Sequence, residues 1–290
     1  MVLFFIFRKN EVINVLIQKI INNNIVSSYD DKGREVVVMG RGIGFMAKPD
    51  QEIDHEKIEK IFIMDNQSEA DQLKKLFADM PLEHIQASNE IIQYADKILN
   101  KELNKTIILT LTDHISFAIE RFSQGQIFYN ALLWEIKRFY QKEFAVGIRA
   151  LEIIYDKMGV RLPEEEAASI ALHVLNAELN TDMSYAMDMT KMIQGILSIV
   201  KYFYKININE DSLYYERFVT HLKFFAQRNL LGMKEPDKDE ELYDMVRKQY
   251  TTAHKCAEKI KSFMEKEYNI MVPEDEMMYL TIHIKRITTP

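Results

Sequence analysis

The pattern of hydrophobic and polar positions divides the chain into a short strand-rich segment and a long helical remainder. From Ile17 to Met64, short β-branched runs alternate with turn residues. The turn residues Asp30–Gly33 between two such runs predict a β-hairpin with a tight connection. After Asn66, apolar residues recur at spacings of three and four, which indicates amphipathic helices. The pattern therefore predicts a small antiparallel β domain followed by all-α helical domains.

The helical part contains the same pattern twice. In each copy a proline and three acids come before a histidine that lies ten residues after the proline, and Pro163 and Pro273 are 110 residues apart. Proline and acids in this order are typical of a helix start. Each copy also has an earlier histidine on an apolar stretch. The four histidines are His114 and His173 in the first copy and His221 and His283 in the second.

Two copies are too few for a solenoid, so tandem helical-bundle domains are the better interpretation. The expected domains are a β domain over residues 15–70, a first helical module over 71–182 and a second over 183–290. The helix expected from Met189 to Tyr204 should open the second module. Residues 1–14 form an N-terminal extension.

Composition limits the classes of function. A net charge of -7 and a pI near 5.6 argue against attraction of the whole chain to nucleic acid or anionic membranes, so any such site must be a local patch. Cys256 is the single cysteine, which rules out an intrachain disulfide and fits a reducing compartment. The apolar run Met1–Phe7 is far shorter than the roughly 20 residues that span a bilayer. We expect a cytoplasmic protein.

The paired histidines suggest a regulated phosphate acceptor. An imidazole changes charge near neutral pH, and its unprotonated nitrogen is a nucleophile toward phosphorus. Two alternatives stay open, namely packed structural histidines and a metal centre, although no local ligand spacing such as H-E-x-x-H occurs. The other histidines, His55, His84 and His254, do not recur at matching positions and are expected to be structural or surface residues.

Charged neighbours of the four histidines are hard to identify in the sequence. Asp113 precedes His114, but adjacent residues on a helix do not face each other. No acidic cluster is evident beside the histidines, which disfavours an enzyme. The cations expected to bind phosphate in the second module are Lys223, Lys285 and Arg286.

The segment Met39–Phe45 is a candidate nucleic-acid surface. Its glycines allow close backbone approach, its arginine can bind phosphate or guanine, and its phenylalanine can stack on an unpaired base. The alternative is a tight turn with Phe45 in the core. No G-x-x-x-x-G-K-[ST] motif follows, so nucleotide binding is not supported.

These residues resemble those of the BglG/SacY family of transcriptional antiterminators over about Leu16 to Arg286. Lys19–Asn24 and Val37–Gly42 resemble the start and centre of the family's co-antiterminator RNA-binding domain. The stretches around the four histidines match its two PTS regulation domains, where PTS is the sugar phosphotransferase system. The resemblance implies a dimeric β domain that binds a ribonucleic antiterminator hairpin in nascent mRNA. The positions that carry over as RNA contacts are Lys19, Asn24, Gly40, Arg41, Gly42 and Phe45.

The resemblance also implies how the protein is controlled. A sugar-specific enzyme II permease would phosphorylate the first module at His114 and His173 and inactivate the protein. The phosphocarrier HPr would phosphorylate the second module at His221 and His283 and activate it. No cofactor, metal or DNA partner is implied, and the regulated genes would be those of β-glucoside utilisation.

Two other functions remain open at this point, a histidine phosphotransferase or phosphohydrolase and a PTS-controlled DNA-binding activator. The extension before Val15 is unusual for the family, whose first methionine falls at this position. We expect translation to begin at Val15.

Overall fold

The computed structural model describes residues 16–289 except 31, 64–65, 127, 182 and 233–239. The N-terminal extension Met1–Asn14 and the expected start of translation at Val15 lie outside the described residues. Its strands are β1 (Lys19–Asn22), β2 (Ile25–Tyr29), β3 (Glu35–Met39) and β4 (Lys60–Ile63). Its helices are α1 (Gln67–Ala78), α2 (Leu82–Leu99), α3 (Ile107–Ser123), α4 (Leu133–Phe139), α5 (Gln141–Met158), α6 (Glu164–Leu179), α7 (Met183–Tyr204), α8 (Leu213–Leu230), α9 (Glu240–Gln249), α10 (Thr251–Tyr268) and α11 (Glu274–Ile287).

The four strands form an antiparallel sheet in the order β1-β2-β3-β4. The hairpin between β2 and β3 is the predicted one. Its turn is held by Asp30, whose carboxylate accepts hydrogen bonds from the backbone amides of Lys32 and Arg34 at 3.0 and 2.8 Å. This Asx-type turn explains why the polar run reverses the chain here.

Successive residues of β3 point to opposite faces of the sheet. Both of these faces are buried. Val36 and Val38 pack with residues of the segment that follows β3. Val37 and Met39 pack on α1 and the residues that follow it. The sheet and the first helical module therefore share one hydrophobic cluster.

The contacts divide the chain into two compact units, the first comprising Met1–Leu133 and Tyr140–Thr181 and the second Trp134–Phe139 and Asp182–Pro290. In the first unit, α2, α3, α5 and α6 pack around one core. In the second unit, α7 packs on α8 and α10, and α11 packs on α8, α9 and α10. The small sheet and the two helical modules confirm the predicted fold class.

The helices begin and end where the sequence provides start and stop residues. Pro163 precedes α6 and Pro273 precedes α11, and each is followed by three acids in the first turn. The acids favour the positive end of the helix dipole. Asn180 directly follows α6 and Asn269 directly follows α10, both in the left-handed conformation that asparagine tolerates. Among the described residues, no helix combines the length and apolarity that crossing a membrane requires.

Candidate functional site

Each helical module brings its two histidines together. The rings of His114 on α3 and His173 on α6 have centroids 4.8 Å apart. The rings of His221 on α8 and His283 on α11 have the same separation. The histidines of a pair are far apart in sequence, so their contact follows from the packing of α3 on α6 and of α8 on α11.

A buried glutamate and an arginine complete the cluster in the first module. His114 Nε2 lies 3.2 Å from Glu166 Oε2, and Arg121 Nη2 contacts the other oxygen of the same carboxylate. Only 2% of the Glu166 side chain is exposed. Burial opposes ionisation of this carboxyl group, but His114 and Arg121 outweigh it, so the net pKa of Glu166 is lowered.

The second module repeats this arrangement. His221 Nε2 lies 3.4 Å from Glu276 Oε2. The guanidinium group of Arg228 contacts Glu276 Oε1, with its Nε at 3.0 Å. Burial again opposes ionisation, yet His221 and Arg228 lower the pKa of Glu276. We call the first set, Glu166, His114, His173 and Arg121, cluster 1, and the second, Glu276, His221, His283 and Arg228, cluster 2.

The second histidine of each pair is held uncharged. Burial, followed by the proximity of His114, lowers the pKa of His173 to about 3. Burial, His221 and Arg286 lower the pKa of His283 to about 4. Both rings therefore keep a nitrogen lone pair at neutral pH.

The histidines of both clusters were predicted from the sequence, but the glutamates and arginines were not. The sequence showed no acidic cluster beside the histidines, and the structure places a single carboxylate, that of Glu166 or Glu276, next to each pair. Asp113 is not the acid that contacts His114. The missed signal is a spacing of seven, which places two residues on one helix face. It separates His114 from Arg121 and Glu166 from His173, and it recurs between His221 and Arg228 and between Glu276 and His283.

The cation expected at cluster 2 also differs from the one found. Lys223 donates to the backbone carbonyl of Phe139 at the end of α4, whereas Arg228 contacts the glutamate of the cluster. Arg286 acts electrostatically on His283.

The remaining histidines are structural or surface residues, as predicted. His254 is buried, with its Nε2 3.0 Å from the hydroxyl oxygen of Tyr243. His55 is exposed, and His84 is half-buried. In the part of the chain that the structure describes, no group of three or more His, Cys, Asp or Glu residues could hold a metal ion.

The loop after β3 is fixed to the turn between β1 and β2. Asn24 accepts from Gly40 N through its backbone carbonyl, at 3.0 Å, and from Gly42 N through its side-chain oxygen, at 2.9 Å. A Cβ atom at Gly40 would lie 1.7 Å from the Lys57 carbonyl oxygen, and one at Gly44 would lie 2.2 Å from that of Asn22. The loop therefore requires glycine at both positions.

This fixed loop holds two candidate RNA contacts in solvent. The side chain of Arg41 is 74% exposed, and Phe45 is 62% exposed. The alternative that Phe45 belongs to the core is wrong. Lys19 is also exposed. Arg41 contacts Glu83 at 3.3 Å in an exposed ion pair.

Residues 15–71 match the family described as the CAT RNA binding domain, and residues 89–177 and 194–287 match the PRD domain. The chain is 49% identical to the transcription antiterminator LicT of Bacillus subtilis (strain 168), a match that covers 93% of this chain and 98% of LicT. It is 45% identical to a beta-glucoside operon antiterminator of Dickeya chrysanthemi, with 93% and 96% covered.

A solved structure supports the same assignment. The crystal structure of GlcT CAT-PRDI has a TM-score of 0.51 and 36% sequence identity, and it covers 57% of this chain and 98% of that one. The chain belongs to the family of transcription antiterminators that join a CAT RNA-binding domain to PRD domains. The resemblance stated from sequence is thereby confirmed, and proteins of this kind are regulators rather than enzymes.

Proposed function

We propose that the chain binds an antiterminator RNA hairpin in nascent mRNA as a homodimer in the cytoplasm, and that phosphorylation of its paired histidines controls this binding. A bound hairpin keeps the overlapping terminator from forming. The observation that carries the regulatory part is the contact between the two histidines of each module, repeated with a ring separation of 4.8 Å in both modules.

The RNA surface is assigned to Lys19, Asn24, Gly40, Arg41, Gly42 and Phe45. Arg41 and Lys19 are exposed cations that can bind phosphate, and Phe45 is an exposed ring on which an unpaired base can stack. Asn24 acts mainly by holding the loop, with its side chain bound to Gly42 N. The pairing of Arg41 with Glu83 must break for Arg41 to bind phosphate, which is a small cost for an exposed ion pair.

Clusters 1 and 2 suit phosphate control because each is built around a buried negative charge. A phosphoryl group adds roughly 1.5 to 2 negative charges. Placed on His114, it would lie close to Glu166, which is almost wholly buried. The repulsion favours a rearranged module, and two such modules provide the two bistable elements that opposite signals need.

The partners follow from the family. We assign the first module to a sugar-specific enzyme II, which phosphorylates His114 and His173 and inactivates the protein. The second module is assigned to HPr, which phosphorylates His221 and His283 and activates it. Since a relative is named for a beta-glucoside operon, we assign the regulated genes to β-glucoside utilisation.

The RNA assignment is tested by gel shifts of the full chain with hairpins selected from the organism's own transcripts, compared with duplex DNA over a salt series. We expect a preference for the hairpin that persists as salt rises. Arg41→Ala should weaken hairpin binding by about 1–3 kcal/mol, whereas Lys75→Ala, which removes an exposed charge from α1, should leave it nearly unchanged. A preference for duplex DNA would overturn the proposal.

The regulatory assignment is tested with HPr, enzyme I and phosphoenolpyruvate. We expect HPr to transfer phosphate to the full chain and to raise its affinity for the hairpin. Replacement of His221 and His283 by alanine should abolish this activation. If activation by HPr persists in that variant, the assignment of the second module is wrong.

A further inference from the structure

The same three-residue chain of contacts, imidazole to carboxylate to guanidinium, occurs in both modules. In cluster 1, Glu166 lies between His114 and Arg121, and in cluster 2, Glu276 lies between His221 and Arg228. A buried carboxylate is costly unless it is paired. Its presence at both phosphoacceptor sites therefore needs an explanation beyond packing.

The surroundings favour one tautomer of the first imidazole. His114 Nε2 and Glu166 Oε2 are both buried and lie 3.2 Å apart, within ion-pair distance but outside hydrogen-bond geometry. An ionised carboxylate can accept a hydrogen bond but cannot donate one, so it favours the tautomer that has its proton on Nε2. The lone pair of the neutral ring is then on Nδ1. Arg121 binds the second oxygen of the carboxylate and holds it in place.

We propose that Glu166 and Glu276 are positioning residues for phosphoryl transfer to His114 and His221. This inference rests on the proposed role of the histidines as phosphate acceptors. In the transfer, the Nδ1 lone pair attacks phosphorus and forms a new P–N bond while the P–N bond of the donor breaks. The donor nitrogen leaves with the bonding electron pair and takes a proton from solvent. The acceptor ring becomes positively charged, and the glutamate stabilises this charge through Nε2–H.

The charged and titratable groups beside each acceptor lie on two helices. His114 faces Glu166 and His173 on α6 and shares α3 with Arg121. His221 faces Glu276, Tyr279 and His283 on α11 and shares α8 with Arg228. Among the described residues, one carboxylate forms a charge contact with each acceptor, so removing it should lower the reactivity of the ring.

The test uses the full chain and potassium phosphoramidate, a small phosphoryl donor that needs no partner protein and releases ammonia. Phosphate on each histidine is followed by mass spectrometry over time. Glu166→Gln should slow phosphorylation of His114 by about 10- to 100-fold, by analogy with the carboxylate partners of metal-bound histidines.

Matched controls separate positioning from folding. Glu165→Gln makes the same charge change one residue away on α6 and should leave the rate unchanged. Glu166→Gln combined with Arg121→Gln removes both buried charges, so it avoids an unpaired ion. This double variant should be as slow as Glu166→Gln alone. Glu276→Gln and the exposed Glu274→Gln form the corresponding pair for His221.

The outcomes distinguish this inference from the proposed function. Equal rates for Glu166→Gln and the native chain would overturn the positioning role, as would phosphorus NMR that places the phosphoryl group of native His114 on Nε2. Neither result would contradict the proposed RNA binding or the proposed phosphoryl transfer from HPr. If HPr fails to phosphorylate the native chain while phosphoramidate gives the expected differences, the assigned partner is wrong and the positioning role stands.

Discussion

Clusters 1 and 2 contain the same four residue types but differ in how firmly their arginines are held. Arg121 is 14% exposed and Arg228 is 38% exposed. The Arg121 guanidinium also lies over the rings of Phe117 and Phe128, at 5.2 and 4.2 Å from their centroids. Cation–π contacts of this kind stabilise a fixed position.

The histidine rings of the two clusters also differ, in the burial of their nitrogens and in the angle between their planes. Both ring nitrogens of His221 are buried, and its ring stacks on His283 with an angle of 21° between the planes. In cluster 1 the corresponding angle is 42°. Cluster 2 thus combines a more covered histidine with a more exposed arginine. The same four residue types therefore differ in burial through their surroundings alone.

The largest expected effect comes from removing the arginines. Arg121→Met leaves the buried Glu166 without its guanidinium partner and should destabilise the first module by about 3–5 kcal/mol. Arg228→Met should cost less, about 1–3 kcal/mol, because water can reach this site. Native-state hydrogen exchange of α6 and α11 measures the two modules separately. Equal losses of stability in the two modules would contradict the difference between the clusters. Arg149→Met serves as a control, because it breaks an exposed ion pair and should lower stability by at most about 1 kcal/mol.

The buried histidines should make stability depend on pH. His173 has a folded pKa of about 3, below its ordinary value of 6.5. Its contribution to stability is therefore present above pH 6.5 and is lost as pH falls toward 3. Between pH 7 and pH 5 this loss is about 2 kcal/mol. Urea unfolding at these two pH values measures it, and His173→Gln should reduce the pH dependence by that amount.

The second module should respond to acid in the same direction. Burial, His221 and Arg286 lower the pKa of His283 from 6.5 to about 4, so its contribution to stability is lost as pH falls from 6.5 toward 4. Hydrogen exchange of α11 should show this loss between pH 7 and pH 5, and His283→Gln should reduce it. Equal stability of α11 at both pH values would contradict the prediction.

The smallest effect is expected at two phenylalanines that follow the first histidine of each pair by three residues. Phe117 is 57% exposed and Phe224 is 56% exposed. Phe117→Ala should cost about 0.5–1 kcal/mol through lost contact with Arg121. Phe224→Ala should stay within about 0.5 kcal/mol, as is usual for surface positions. Thermal unfolding of the two variants side by side provides the comparison.

Much of the fold was predictable from local patterns. Asp30–Gly33 predicted the turn of the hairpin, and Pro163 and Pro273 predicted two helix starts. These features depend on neighbouring residues and can therefore be read locally. The domain boundaries at residues 70/71 and 182/183 and the individual RNA contacts stay predictions. Because the histidine pattern occurs twice, it distinguished four histidines as candidate site residues from ordinary core residues.

The missing half of the site depended on tertiary packing. Glu166 lies 52 residues after His114, and no local pattern says that α6 packs on α3. The acid run after Pro163 had a sufficient local explanation in the helix dipole, which concealed the separate role of its third member. Similarly, the exposure of Phe45 depends on how the loop is fixed to Asn24, and the sequence left core and surface equally open.

Helix α4 has a practical consequence for anyone dividing the molecule. By the repeat, Trp134–Tyr140 corresponds to Asp244–Tyr250, yet residues 134–139 belong to the compact unit that contains α7 to α11. A recombinant fragment that stops at residue 181 would carry Ile136 and Phe139, both buried in the full chain, without the unit in which they pack. Such a fragment would leave these two side chains without the neighbours that cover them, so the stability of this region should be measured in the intact polypeptide.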